Sequence, residues 1–141
     1  MDLKKLFTGG IVGGILFFGL GYLIFGMLLT GYMEKHPGTA TNVMRPETEI
    51  RFLYLALGNL LSGFLMAYIF IRANVKNAMG GLITGGIVGF LMLASIDLVW
   101  YGTSNVMSKS SLLADVAGAT VMSAIVGAVV GLVMNMGKKE A

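Results

Sequence analysis

The chain is expected to be an all-α polytopic membrane protein, four transmembrane helices in a bundle, and three observations lead there. Of its 141 residues 56% are hydrophobic and 12% charged, against about a quarter charged in an average soluble domain. The mean hydropathy is +0.83. Between the charges run four uncharged stretches long enough to cross a bilayer, which takes about 20 mostly apolar residues. With 21 glycines and 2 prolines, the composition excludes a disordered or collagen-like chain and points to helices that approach one another closely. A single domain over residues 1–141 follows, since the four stretches leave room for little else.

The first stretch, Leu6 to Met33, follows Lys4 and Lys5. It is too long for the apolar region of a secretory signal and lacks a small-residue cleavage site, so it is expected to stay in the mature protein. The connection from Glu34 to Glu49 is the long one and holds both prolines. His36-Pro37-Gly38 reads as the stop of the first helix, because the residue before proline is biased away from helical dihedrals and glycine tolerates the turn. Pro46 suits the first turn of the second helix, with Glu47 and Glu49 near its positive end. That helix is expected over Phe52 to Ile71. The third covers Asn77 to Ile96, with an apolar continuation past Asp97. Hydroxyls between Ser108 and Ser111 could cap the fourth, expected over Val116 to Gly137.

Four crossings put Lys4, Lys5, Arg72, Lys76, Lys138 and Lys139 on one side. Lys35, Arg45, Arg51 and Lys109 fall on the other, diluted by Glu34, Glu47 and Glu49. Positive charge favours the cytoplasmic face, so both termini are expected inside a bacterial-type cytoplasmic membrane. Tyr32, Tyr54, Trp100 and Tyr101 then lie at the outer interface, Tyr68 and Phe70 at the inner one, where aromatic belts form. The formal net charge of +3 is read as this topology signal, with no nucleic-acid partner expected.

Shifting the chain by 76 positions aligns Thr8-Gly9-Gly10-Ile11-Val12-Gly13 with Thr84-Gly85-Gly86-Ile87-Val88-Gly89. At an offset of 61, Ser62 meets Ser123, Ala67 meets Ala128, Asn59 meets Thr120 and Gly63 meets Ala124. Two duplicated hairpins, about 1–75 and 76–141, are therefore expected as a parallel repeat. Small residues recur every fourth position at Gly9 and Gly13, Gly10 and Gly14, Gly81, Gly85 and Gly89, and Ser123, Gly127 and Gly131. Lipid supplies no hydrophobic force between helices, so such rows are expected to pack helix on helix, within one chain or between copies.

A charge inside a membrane is costly unless paired or wet, which makes its bearer a functional candidate. Asp97 stands near the outer end of the third helix, within about 20° of Gly86 and Phe90 on a helical wheel. Asp115 stands near the outer start of the fourth, and Arg51 at the outer end of the second is the natural partner for either. The three could form a polar vestibule for a cation or a zwitterion, or a structural ion pair. Asn59 and Ser62 share one helix face, as do Thr120 and Ser123. They could line a narrow polar path, or hydrogen-bond between helices for about 0.6 kcal/mol and at most about 2.

Zero cysteines exclude disulfides, thiolate metal sites and cysteine nucleophiles. No nucleophile with an adjacent base, zinc-binding helix motif or dinucleotide fingerprint is present, and the glycines from Gly9 to Gly14 lie inside an apolar span rather than in a phosphate-binding loop. His36 stands between Met33 and Met44, a soft-ligand set suited to monovalent copper. The 11 methionines, however, are spread along the whole chain as apolar filler. No metal, no cofactor and no enzymatic activity are expected.

Gly19-Leu20-Gly21-Tyr22-Leu23-Ile24-Phe25-Gly26, followed by Tyr32-Met33, and the Asp115-Val116-Ala117-Gly118 opening of the last helix resemble a family of small four-helix bacterial membrane proteins of uncharacterised function. Such proteins show a tryptophan–tyrosine pair in the first helix. Here Ile24-Phe25 stands at that place and Trp100-Tyr101 at its repeat position. The resemblance implies architecture without a substrate or site. The expected role is a non-catalytic membrane component, a homo-oligomer or a subunit of a larger complex. The alternative is a small-solute or ion permeation unit that works as an oligomer.

Overall fold

A computed structural model describes residues 1–136, all helices and connections with no strand among them. Gly137, the expected end of the fourth helix, and Lys138 and Lys139 of the topology argument lie outside the described residues. Four helices are long and apolar enough to cross a membrane: Leu3–Leu28, Phe52–Arg72, Ala78–Thr103 and Lys109–Val133.

The first begins as α1 (Leu3–Gly21), because the Asp2 side chain accepts a hydrogen bond from the Lys5 amide at 3.1 Å and caps it. At Tyr22 the winding loosens into a π-helical segment, Tyr22–Leu28, before a short α2 (Thr30–Lys35). The Leu29 amide donates to Ile24 O at 2.8 Å, and the Thr30 hydroxyl to Phe25 O at 2.6 Å. The expected single helix is thus a helix with a wide turn in it. His36 ends α2 as anticipated, with φ −126° and ψ 51°.

Pro46 does not open the second helix. It is extended, at ψ 153°, and caps a separate 3-10 turn, Glu47–Glu49. Ile50 is extended again, so α3 (Phe52–Arg72) starts afresh and the two glutamates lie outside it. Asn77 caps α4 (Ala78–Thr103) by accepting from the Gly80 amide at 2.8 Å. Ser108 caps α5 (Lys109–Val133), accepting from the Ser111 amide at 3.2 Å. With that cap α5 begins about two turns before the expected Val116, and Asp115 lies within the helix instead of just ahead of it.

Helix α1 packs along α3, α4 packs along α5, and the two pairs meet where α1 touches α5, while α3 and α4 scarcely touch. The glycine rows make the within-pair contacts. A Cβ on Gly13 would lie 3.1 Å from the Gly63 Cα, and one on Gly9 3.0 Å from the Ala67 Cβ. One on Gly85 would lie 3.0 Å from the Gly127 Cα, and one on Gly131 3.0 Å from the Gly81 Cα, while Gly89 packs against the Ser123 side chain. All nine glycines of these rows face helices of their own chain. The core at the meeting of the pairs is Phe17, Met66, Ala67, Phe70, Val126, Val130 and Met134. Phe70 is 1% exposed, so it is a core residue and not an interfacial aromatic. The buried Gly63, Met66, Ala67 and Phe70 of α3 correspond to Ser123, Val126, Gly127 and Val130 of α5 at an offset of 60, one short of the 61 seen in the residue identities.

Each end of the bundle is tied. The Lys5 ammonium donates to Asn135 Oδ1 at 2.7 Å, and Asn135 Nδ2 donates to Val75 O at 3.0 Å, which joins α1, α5 and the α3–α4 connection. At the opposite end, called the loop end below, the hydroxyls of Ser108 and Ser111 both donate to His36 O, at 2.5 and 2.6 Å, and the Ala40 amide donates to Asn105 O at 2.9 Å.

Candidate functional site: a cleft with a carboxyl pair

Because α3 and α4 do not close on each other, a cleft of about 220 Å³ remains between the two helix pairs, lined from all four long helices. Its polar lining is Asn59 and Ser62 from α3, with Asp115 and Ser123 from α5. The rest is apolar, including Phe17 and Phe25 from the first span, Met66 from α3 and Met92 from α4.

The polar groups differ in what they have left to offer. Asn59 Nδ2 donates to Leu55 O at 2.7 Å and the Ser62 hydroxyl to Gly58 O at 3.0 Å, so both spend a donor on their own helix and keep acceptor capacity. Ser123 is 2% exposed and makes no side-chain hydrogen bond within the described residues. Thr120 donates to Val116 O at 2.7 Å and does not line the cleft. Of the four residues expected to pack or to line a polar path, Asn59, Ser62 and Ser123 come together and Thr120 stands apart.

The aspartates meet. Asp97 lies six residues before the end of α4 and Asp115 six residues after the start of α5, each about 9 Å below the loop end. The short connection folds these positions onto each other, and the two carboxyl groups lie side by side. Asp97 is 5% exposed, and its Oδ2 has no partner among the described residues. Asp115 is half-buried and lines the cleft.

Arg51 is not the partner. It is exposed at the N-cap of α3 and makes no ion pair within the described residues. The expected vestibule of three charges is a pair of acids, because Asp97 points at α5 across its own hairpin and not toward the start of α3. The sequence places the two aspartates on either side of one connection, but their equal spacing from its ends emerges only once α5 begins at Lys109. The π-helical segment carries no signal in the sequence. It brings Phe25 to the cleft and packs against Gly118, where a Cβ would lie 2.9 Å from Leu29 Cδ1.

His36 Nδ1 is 2.9 Å from Tyr32 O, and the imidazole stacks on the Tyr32 ring with centroids 4.3 Å apart, while Met44 is 87% exposed. Among the described residues no group of three or more histidine, cysteine or acidic side chains could hold a metal ion. No family model matches the chain, and no curated protein or solved structure matches it.

Proposed function

We propose that the chain is a non-catalytic, multi-pass protein of a bacterial cytoplasmic membrane, with both termini inside, which holds a small solute or ion in the cleft between its helix pairs and works as an oligomer. One observation carries this reading: Asn59, Ser62, Asp115 and Ser123 converge on a cleft of about 220 Å³ in a chain with four helices long and apolar enough to cross a membrane. Polar groups inside a bilayer are expensive, and their convergence on a cavity is the usual mark of a solute pathway. A four-helix bundle encloses little volume, so a complete path would need more than one copy. The shared glycine contacts of α1 with α3 and of α4 with α5 support the duplication of a hairpin. Kinship with the small four-helix bacterial proteins that the first span resembles belongs to this proposal too.

The scant contact between α3 and α4 favours a second reading, in which a helix of another protein closes that seam and the chain is an accessory subunit. Native mass spectrometry of the complex extracted in lipid separates the two. A discrete homo-oligomer supports the first reading, and a stable foreign partner the second. For the first, Ser62→Leu, which puts an apolar side chain into the cleft, is expected to abolish solute uptake by proteoliposomes without changing the oligomer.

A further inference from the structure

What the cleft lining still has free to bond decides what it accepts. Asn59 gives one N–H to Leu55 O and Ser62 its hydroxyl proton to Gly58 O, which leaves the oxygens of both side chains as acceptors. Asp115 adds its carboxyl oxygens, and no lysine, arginine or histidine lines the cleft. Backbone amides inside the surrounding helices are already bonded to their own turns. Ser123 is 2% exposed and lines the cleft, and its hydroxyl bonds to nothing among the described residues. It lies against Gly89, where a Cβ would collide with it, so that glycine leaves the hydroxyl its room. A buried hydroxyl without a partner is costly, and a ligand in the cleft removes that cost.

Acceptor oxygens therefore outnumber the donors that remain, the second N–H of Asn59 and the Ser123 hydroxyl. A complementary ligand brings several N–H donors at one end and hydrocarbon at the other, to lie against Phe17 and Phe25. It is small, because about 220 Å³ falls below the roughly 300–1,000 Å³ of drug-sized sites.

We propose that the cleft binds a small primary amine, whose ammonium N–H groups donate to oxygens of Asn59, Asp115 and Ser123 while its apolar body packs on Phe17 and Phe25. This rests on the cleft being a solute site and names the class of solute. Three N–H groups on one nitrogen serve acceptors on α3 and α5 at once, which a quaternary ammonium cannot do. The gap between α3 and α4 gives the apolar body a lateral way in.

The test is titration calorimetry of the full chain in phosphatidylcholine nanodiscs, with the heats of empty nanodiscs subtracted. The probes are 2-phenylethylammonium and its trimethyl analogue, which has the same body and charge but no N–H. The expected result is saturable binding of the primary ammonium, roughly tenfold or more tighter than that of the analogue. Ser123→Ala removes a hydroxyl that no described residue uses, and should weaken the primary ammonium by roughly three- to tenfold while leaving the analogue unchanged. Asn59→Ala, on another helix, should produce the same selective loss, so the reading does not depend on one variant. Equal binding of both probes to the unaltered protein overturns the donor assignment and leaves the solute cleft standing. Binding of neither overturns the assignment and the solute cleft together. A preference for the primary ammonium that survives both substitutions puts the amine outside this cleft and overturns the proposal.

Discussion

At the scale of single residues, the backbone approaches decide what each glycine is worth. Gly81 faces the Gly127 carbonyl and the Gly131 Cα, so a methyl group there has nowhere to go, whereas Gly58 has nothing within 4 Å. Gly81→Ala should therefore destabilise the bundle by about 1–3 kcal/mol, the range typical of overpacking. Gly58→Ala should be neutral or stabilise by up to about 1 kcal/mol through helix propensity. Reversible unfolding in mixed detergent micelles measures both, and equal effects would mean that the rows do not pack as described. The four-residue spacing of these glycines was legible from the sequence. Which of them meet backbone was not, because that depends on the rotation of each helix about its axis.

Among the elements, the π-helical segment Tyr22–Leu28 is the departure with most consequence. Wide turns of this kind often mark functional positions, and here one brings Phe25 to the cleft. Its registry is held by the hydrogen bond from the Thr30 hydroxyl to Phe25 O. Thr30→Val removes that donor at nearly constant volume and should cost about 1 kcal/mol. The cost should be local: amide hydrogen exchange is expected to quicken between residues 24 and 30 and to stay unchanged in α3. Nothing in the apolar run from Leu20 to Leu29 signals this turn, since the pattern of a continuous helix and that of a helix with one extra residue per turn differ little when every residue is apolar. The early start of α5 has a plainer cause. The charge on Lys109 and the polar Ser110 and Ser111 read as connection, yet the Ser108 cap and the two hydroxyls bonded to His36 O carry the helix through them.

For the molecule as a whole, the two helix pairs communicate through α1 and α5. Val130, 0% exposed, lies at that seam, 3.2 Å from where a Gly13 side chain would begin. Val130→Ala should cost about 1–3 kcal/mol of packing, read by the same unfolding assay, and a near-zero cost would show that the pairs are held together elsewhere. Orientation is tested with single cysteines in the otherwise cysteine-free chain. Thr41→Cys on the exposed loop should react with a membrane-impermeant maleimide added to intact spheroplasts, and Lys76→Cys only after lysis. The reverse pattern would place the termini outside.

Hydrophobicity, charge spacing and the small-residue rows determined by themselves that the chain forms four spans, roughly where they begin and end, and that Asp97, Asp115, Asn59, Ser62 and Ser123 are the polar residues worth watching. These are local properties: each can be read from a window of about 20 residues. The tertiary structure decided which of them meet. It paired the two aspartates across the α4–α5 connection and left Arg51 exposed. It also turned Thr120 away from the cleft and kept α3 apart from α4. Those outcomes depend on helix rotation and on which helices become neighbours, and in a bilayer these follow from close fit between surfaces that are nearly alike in hydrophobicity.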